Sequence, residues 1–283
     1  MRVDVEPEGI TLDVRDEGPR AGDPVVLLHG FPQDSRCWDE VAPLLHRAGL
    51  RTLAPDQRGY SPGARPASVS AYRVSALAAD VLAVMDAAAV PSAHVVGHDW
   101  GGAVAWYLGS RHADRVTTLT ILSTPHPAAL ARSMTRSLQP LRSWYTVAVQ
   151  VPVVPEWLLA RTLGPALWLS GLPAGLAAEY GRRFGSPETL QGPLAWYRAA
   201  ARRPPWQLGR EAFAGHPDVG IPTTYVWGRH DPALGRTAAQ DTAHHVSGDY
   251  LFVELDAGHW LPELHPQEVA GAVVDRVRHT ARD

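Results

Sequence analysis

The segment His94-Val95-Val96-Gly97-His98-Asp99-Trp100-Gly101-Gly102-Ala103 puts an acid where an apolar run meets a stretch of small residues. In the G-x-S-x-G elbow a serine takes this place, on a sharp strand-to-helix turn whose glycines avoid collision with neighbouring backbone. A carboxylate here is ionised at neutral pH without a base. It can attack a saturated carbon and leaves an ester whose carbonyl must then be hydrolysed. Asp99 therefore points to cleavage of C–O or C–halogen bonds rather than peptides. Gly59-Tyr60-Ser61-Pro62-Gly63 matches the serine elbow literally, but Pro62 has no N–H to offer an oxyanion and no apolar run precedes it. Ser61 reads as a loop residue.

The elements that must carry Asp99 follow from the hydrophobic pattern. Val25 to Leu28 and Leu50 to Ala54 are short apolar runs ending in His29-Gly30-Phe31-Pro32 and Pro55-Asp56, as buried strands with loops at their carboxyl ends would. Trp38, Val41, Leu44, Leu45 and Ala48 recur at helical spacing, as do Val74, Leu77, Ala78, Val81, Leu82 and Met85 ahead of a strand at His94 to Val96. The alternation continues through Val116 to Leu122 and predicts an α/β fold, a mostly parallel sheet with helices on both faces. From Ser123 to about His216 it breaks into Pro-punctuated helical pieces bearing Trp144, Trp157, Trp168, Trp196 and Trp206. It resumes with strands at Thr223 to Trp227 and Tyr250 to Leu255 and a closing helix from Pro266 to about Thr280. The pattern predicts a core domain of residues 1–124 and 217–283 and an inserted helical cap of residues 125–216. A cap in that place would cover the carboxyl ends of the strands, where ligands bind in open α/β sheets.

Composition removes several function classes. With 283 residues, 45% hydrophobic and 19% charged, the chain can bury a large core, and its net charge of −3 makes neither nucleic acid nor an anionic membrane an expected partner. Every basic residue counted as Lys+Arg is arginine, so lysine Schiff-base chemistry and a P-loop lysine are absent. Cys37 stands alone, without a disulfide partner or a multi-cysteine zinc site. No metal or cofactor is expected. Met1 to Ile10 carries Asp4, Glu6 and Glu8 with no apolar stretch of signal-peptide length, and the expected location is cytoplasmic. His98 reads as structural, His126 as a hinge or packing residue, the pair His244-His245 as solvated, and Arg142, Arg202 and Arg203 as a solvated face.

Four motifs in order resemble the α/β-hydrolase family and, within it, the epoxide hydrolase group: His29-Gly30-Phe31-Pro32, Asp99 in its elbow, Asp231 in Gly228-Arg229-His230-Asp231, and His259 in Ala257-Gly258-His259-Trp260. The resemblance implies a nucleophile (Asp99), an acid (Asp231, preferred to Asp256) and a base (His259), in the chain order this fold uses. His259 is then free to deprotonate a water that strikes the Asp99 ester, with Asp231 holding the imidazole tautomer. The backbone N–H groups of Phe31 and Trp100 would receive the oxyanion. An epoxide oxygen leaves as an alkoxide and needs a proton. In this group two cap tyrosines supply it, and Tyr145, followed by Gln150 and Pro152, and Tyr197 in Trp196-Tyr197-Arg198 match them. Phe31, Trp100, Trp144, Trp196 and Trp260 are the expected contacts of a small apolar or aromatic epoxide. Dehalogenation is the alternative. Haloalkane dehalogenases share Asp99 and Trp100 but often carry asparagine where Phe31 stands, and fluoroacetate dehalogenases share His-Gly-Phe-Pro-Gln but carry arginine where Trp100 stands. A non-catalytic small-molecule receptor of the same fold is a third reading, and the intact set of Asp99, Asp231 and His259 speaks against it.

Overall fold

A computed structural model describes residues 1–6, 8–201 and 219–281. Arg202, Arg203, Trp206 and the expected boundary at 216/217 lie outside the described residues. Eight strands form one sheet: β1 (Arg2–Val5), β2 (Ile10–Glu17), β3 (Pro24–Leu28), β4 (Arg51–Pro55), β5 (Ala93–His98), β6 (Val116–Leu122), β7 (Thr223–Gly228) and β8 (Tyr250–Leu255), in the order β1-β2-β4-β3-β5-β6-β7-β8. From β4 to β8 all pairings are parallel, while β1 and β2 join antiparallel at one edge. Those first two strands were absent from the sequence reading. Their signal is a period of two, with Val3, Val5, Ile10, Leu12 and Val14 buried between polar neighbours.

The parallel strands carry apolar residues on both faces because helices cover both. Val26, Leu28 and Val95 pack with α2 (Val74–Ala87) and α3 (Trp100–Arg111) on one side. Val25, Leu27 and Val96 pack with α1 (Ala42–Arg47) and the closing helix Pro266–Thr280 on the other. The helical spacing from Trp38 to Ala48 is split in two. A 3-10 turn at Ser35–Trp38, capped by the Asp34 side chain, precedes α1, which begins beside Pro43.

Between β6 and β7 the described chain is helical: α4 (Pro127–Arg136), α5 (Gln139–Arg142), α6 (Trp144–Ala148), α7 (Val154–Leu169), α8 (Ala174–Arg183) and α9 (Pro187–Ala201). Two contacts tie α9 to the core. Trp196 Nε1 donates to Arg58 O at 2.8 Å, and Gly192 lies so close to Gly59 that an added Cβ would sit 2.4 Å from the Gly59 Cα. The Arg58 side chain is itself buried and paired with Asp80 of α2.

Backbone crowding is tightest where β5 turns into α3. An added Cβ at Gly101 would stand 2.2 Å from Leu28 O, and one at Gly97 would stand 2.4 Å from Gly101 O. Neither neighbour is a movable side chain. Gly101→Ala should therefore lower unfolding stability by about 3 kcal/mol or more, seen as a reduced urea midpoint at unchanged slope.

Candidate active site

The loops after β3, β5, β7 and β8 emerge at the same end of the sheet and deliver Phe31, Asp99, Asp231 and His259 to one place. Asp99 is strained into φ 49°, ψ −120° at the start of α3, a conformation rarely adopted by a non-glycine residue. Its backbone is held on two sides: the carbonyl accepts from Thr124 Oγ1 at 2.7 Å and the N–H donates to Leu122 O at 3.3 Å. Asp99 Oδ1 accepts from Phe31 N–H at 3.0 Å, so one expected oxyanion donor already touches the carboxylate. Asp99 Oδ2 stands 3.8 Å from His259 Nε2, too far for a hydrogen bond and near enough for strong attraction.

His259 Nδ1 donates to Asp231 Oδ2 at 2.7 Å, and Asp231 Oδ1 accepts from the N–H groups of Ala233 and Leu234 at 2.8 and 2.9 Å. The rival Asp256 is exposed and paired with Arg229 and His230, which hold its carboxyl down at about 2. Burial by itself would pull the His259 imidazole down. The charge and hydrogen bond of Asp231, joined by the charges of Asp99 and Glu263, outweigh that and push it up to about 9.

Beneath this constellation lies a polar scaffold, of which sequence reasoning read His98 alone as structural. His98, fully buried and held well below its ordinary value by burial and then by His259, has Nε2 2.9 Å from His259 O and Nδ1 2.8 Å from Gln33 Oε1. Ser123 Oγ donates to the same His259 carbonyl at 3.0 Å. Gln33 also accepts from Gly30 N–H at 2.8 Å and donates to Glu263 Oε1 at 2.7 Å, where Tyr180 OH donates as well, at 2.9 Å. Gln33 thus links the loop bearing Phe31, the residue before Asp99 and the helix that follows His259. Its only trace in the sequence is its place directly after His-Gly-Phe-Pro.

Two phenols close the site from the helical segment. Tyr197 packs edge-on against Trp100 and Phe31, with ring centroids 4.9 and 5.6 Å apart, and Tyr145 meets Tyr197 edge-on at 6.1 Å. Burial, and then the negative charge of Asp99, raises both hydroxyls above the ordinary range, so both stay protonated. A hydrogen bond from the Trp100 side chain to Tyr197 pulls weakly the other way. Gln150 Nε2 donates to Thr146 O and Tyr197 O, and Arg198 donates to the carbonyls of Val149 and Val151 and to Glu156. These bonds fix the segment of Tyr145 against that of Tyr197.

Other expectations fare differently. Trp260 stacks edge-on to His259 at 5.2 Å and donates to Ser170 Oγ. Trp196 is buried behind Trp100 and serves as an anchor on Arg58. Trp144, expected at the substrate, instead stands 67% exposed, because its neighbour Tyr145 takes the inward face of α6. Arg142, expected on a solvated face, is exposed yet donates to the carbonyls of Asp231 and Pro232, tying α5 to the acid's loop. Ser61 is fully buried, donating to Asp56 O and accepting from Asp13 N–H. His126 caps α4 by accepting from Ala128 N–H and stacks on His245, whose ring is therefore not simply solvated.

A family model described as alpha/beta hydrolase fold matches residues 23–149. The chain is 33% identical to the AB hydrolase superfamily protein YfhM of Bacillus subtilis over 97% of both chains. The chain belongs to the α/β-hydrolase family. Another relative of this α/β-hydrolase is Epoxide hydrolase A of Mycobacterium tuberculosis, 32% identical over 96% of this chain and 95% of that one. Among solved structures, Epoxide Hydrolase A from Mycobacterium thermoresistibile superposes with a TM-score of 0.79 at 29% identity, covering 98% of each chain.

The raised imidazole has a consequence for stability. Its folded value lies above the ordinary 6.5, so the stabilisation, on the order of 3 kcal/mol, is fully present below pH 6.5 and is lost as pH rises through about 9. Urea unfolding of the wild type and His259→Gln across that window checks it, and the gap between them should narrow as pH rises. Asp99→Asn removes one of the raising charges and should lower the His259 value followed by NMR.

Proposed function

We propose that this α/β-hydrolase is an epoxide hydrolase that converts an apolar epoxide to a vicinal diol through a covalent Asp99 ester. The observation that carries the reading is the pair of phenols, Tyr197 buried and Tyr145 half-buried, which meet edge-on where Tyr197 packs against Phe31 and Trp100, the residues beside the Asp99 carboxylate, whose charge helps to keep both hydroxyls protonated. Its α/β-hydrolase relatives named epoxide hydrolases support the same activity.

Asp99 Oδ2, the oxygen not held by Phe31, attacks one epoxide carbon. As that C–O bond breaks, the departing oxygen takes a proton from Tyr145 or Tyr197, leaving a neutral hydroxyl and an ester on Asp99. Esterification also removes the Asp99 charge that helps to keep His259 protonated, which lowers the imidazole toward its neutral, proton-accepting form, and the proton it gives up returns through water to the phenolate and restores the tyrosine hydroxyl. His259 then takes a proton from water, and the hydroxide attacks the ester carbonyl carbon. The oxyanion is held by the N–H groups of Phe31 and Trp100, the second at the N-terminus of α3 where the helix dipole favours negative charge. Collapse breaks the ester bond, releases the diol and restores the Asp99 carboxylate with one oxygen from water. Residues 125–216 act as the cap that brings both phenols over the core of 1–124 and 217–283. A halide would need N–H donors instead of a proton, and the Trp100 side chain is already engaged with Tyr197.

Rapid-quench mass spectrometry of His259→Gln with a panel of aryl and alkyl epoxides should trap enzyme heavier by one substrate. No adduct across the panel, together with halide release from chloro- or bromoalkanes by the wild type, overturns the reading. Tyr145→Phe and Tyr197→Phe should each lower turnover about 10- to 100-fold, and the double substitution about 10³-fold or more, in steady-state diol formation.

A further inference from the structure

Helix α7 is apolar on two opposite sides. One side buries Leu163 and Leu167 and runs against α8, where Gly164 touches Ala177 and Gly181. The other side carries Val154, Trp157 and Leu158 near its start and Pro165, Trp168 and Leu169 near its end, at positions i, i+3, i+4, i+11, i+14 and i+15 on one face of the helix, with Arg161 and Thr162 between the two apolar groups. That stripe faces solvent: Trp157 is 52%, Trp168 59% and Leu169 78% exposed. The short helix α6 adds Trp144 and Val147, also exposed. A helix that is apolar all round is normally covered all round, and a patch of this kind marks a binding surface.

Charge selects what covers it. Between Asp114 and Glu179 the sequence has one acid, Glu156. Glu156 is buried and neutralised by Arg198. The exposed charges of this stretch are arginines: Arg132, paired with Asp241, Arg136, Arg142, which donates to carbonyls and not to a carboxylate, and Arg161, whose guanidinium lies over the Trp157 ring in the middle of the stripe. The acid on α8, Glu179, is paired with Arg183, and α8 packs on the opposite side of α7. A second copy of the chain fits poorly, because a two-fold contact sets the same patch against itself and would face arginine with arginine. An anionic lipid surface fits both features. Exposed tryptophans and leucines enter the headgroup boundary while arginines meet phosphates.

We propose that the outward stripe of α7 docks this protein on the surface of an anionic lipid bilayer. The helix lies on the membrane and does not cross it: no helix among the described residues is long and apolar enough to span one. The chain's net charge of −3, which argued against an anionic membrane, averages over acids that stand elsewhere. Docking would set the site beside the phase in which apolar epoxides accumulate, a step that rests on the proposed function; the binding itself does not.

Co-sedimentation of the full chain with phosphatidylcholine vesicles, with and without phosphatidylglycerol, tests it. The protein should pellet with the anionic vesicles, less with phosphatidylcholine alone, and be released by high salt. Trp157→Ser with Trp168→Ser should weaken binding about 100-fold, with circular dichroism unchanged. Arg161→Glu, which spares the apolar stripe, should weaken binding to anionic vesicles by about fivefold or more. Failure to pellet with anionic vesicles at low salt overturns the proposal. So does a dimer in ultracentrifugation that the double serine variant dissociates, which would assign the stripe to a contact between copies.

Discussion

The contact on which the site depends is backbone against backbone at the end of β5. Gly97, Gly101 and Gly30 each lie so close to a neighbour that a methyl group would meet another atom at 2.4 Å or less. This crowding lets α3 start directly behind the strand, and it forces the single residue between them into a left-handed turn. Asp99 is therefore lifted out of the sheet with its carboxylate against Phe31 N–H. The strain of that turn, of order 1–3 kcal/mol, is offset by a surround that offers no alternative. Thr124 and Leu122 hold its peptide groups, and β3 and β6 flank the strand that carries it.

Around this fixed carboxylate the charges are arranged in a definite order. Asp231 accepts from two backbone N–H groups besides His259, so both of its oxygens are held in place and it can orient the imidazole. Asp99 has one N–H and one unbonded oxygen, which leaves it reactive. The two carboxylates share one imidazole between them, and its affinity for a proton reflects both. In the proposed reaction, losing the charge on one carboxylate therefore lowers the basicity of the group that acts next. A serine at position 99 would carry no charge to lose, so an aspartate in the proposed role suits a base that is held protonated before the first step and released to its neutral, proton-accepting form after it.

The sheet and the principal site residues were legible because each leaves a local mark. Parallel strands buried on both faces leave runs such as Val25 to Leu28, and the elbow leaves glycines at fixed spacing. The β1–β2 hairpin was missed because its alternation is interrupted between Val5 and Ile10, where Glu6 and Glu8 read as charge and not as residues between two strands. Gln33 left only its place after His-Gly-Phe-Pro, and Glu263 and Tyr180 left no mark at all. Their bonds join residues distant in sequence, 230 positions apart for Gln33 and Glu263, and nothing in the type of either residue announces a partner. Trp144 and Tyr145 show the limit of reading composition. Adjacent residues on a short helix point in different directions, and only the packing of α6 decides which faces inward.

The same limit explains α7. A helix whose two sides are both apolar gives no contrast between an inner and an outer face, so its sequence predicts burial for residues that the described chain leaves in water. Leu163 and Leu167 meet α8, and Gly164 and Gly181 allow the two backbones to approach closely. That close packing uses one side of the helix only. The opposite stripe is left exposed among the described residues, unlike Trp196 and Trp260, whose indoles are buried with their N–H groups satisfied. Tryptophan at the surface with its ring half in water is an expense that folding stability does not explain. Its arrangement on one face with an arginine at its centre is what the proposed bilayer contact would cover.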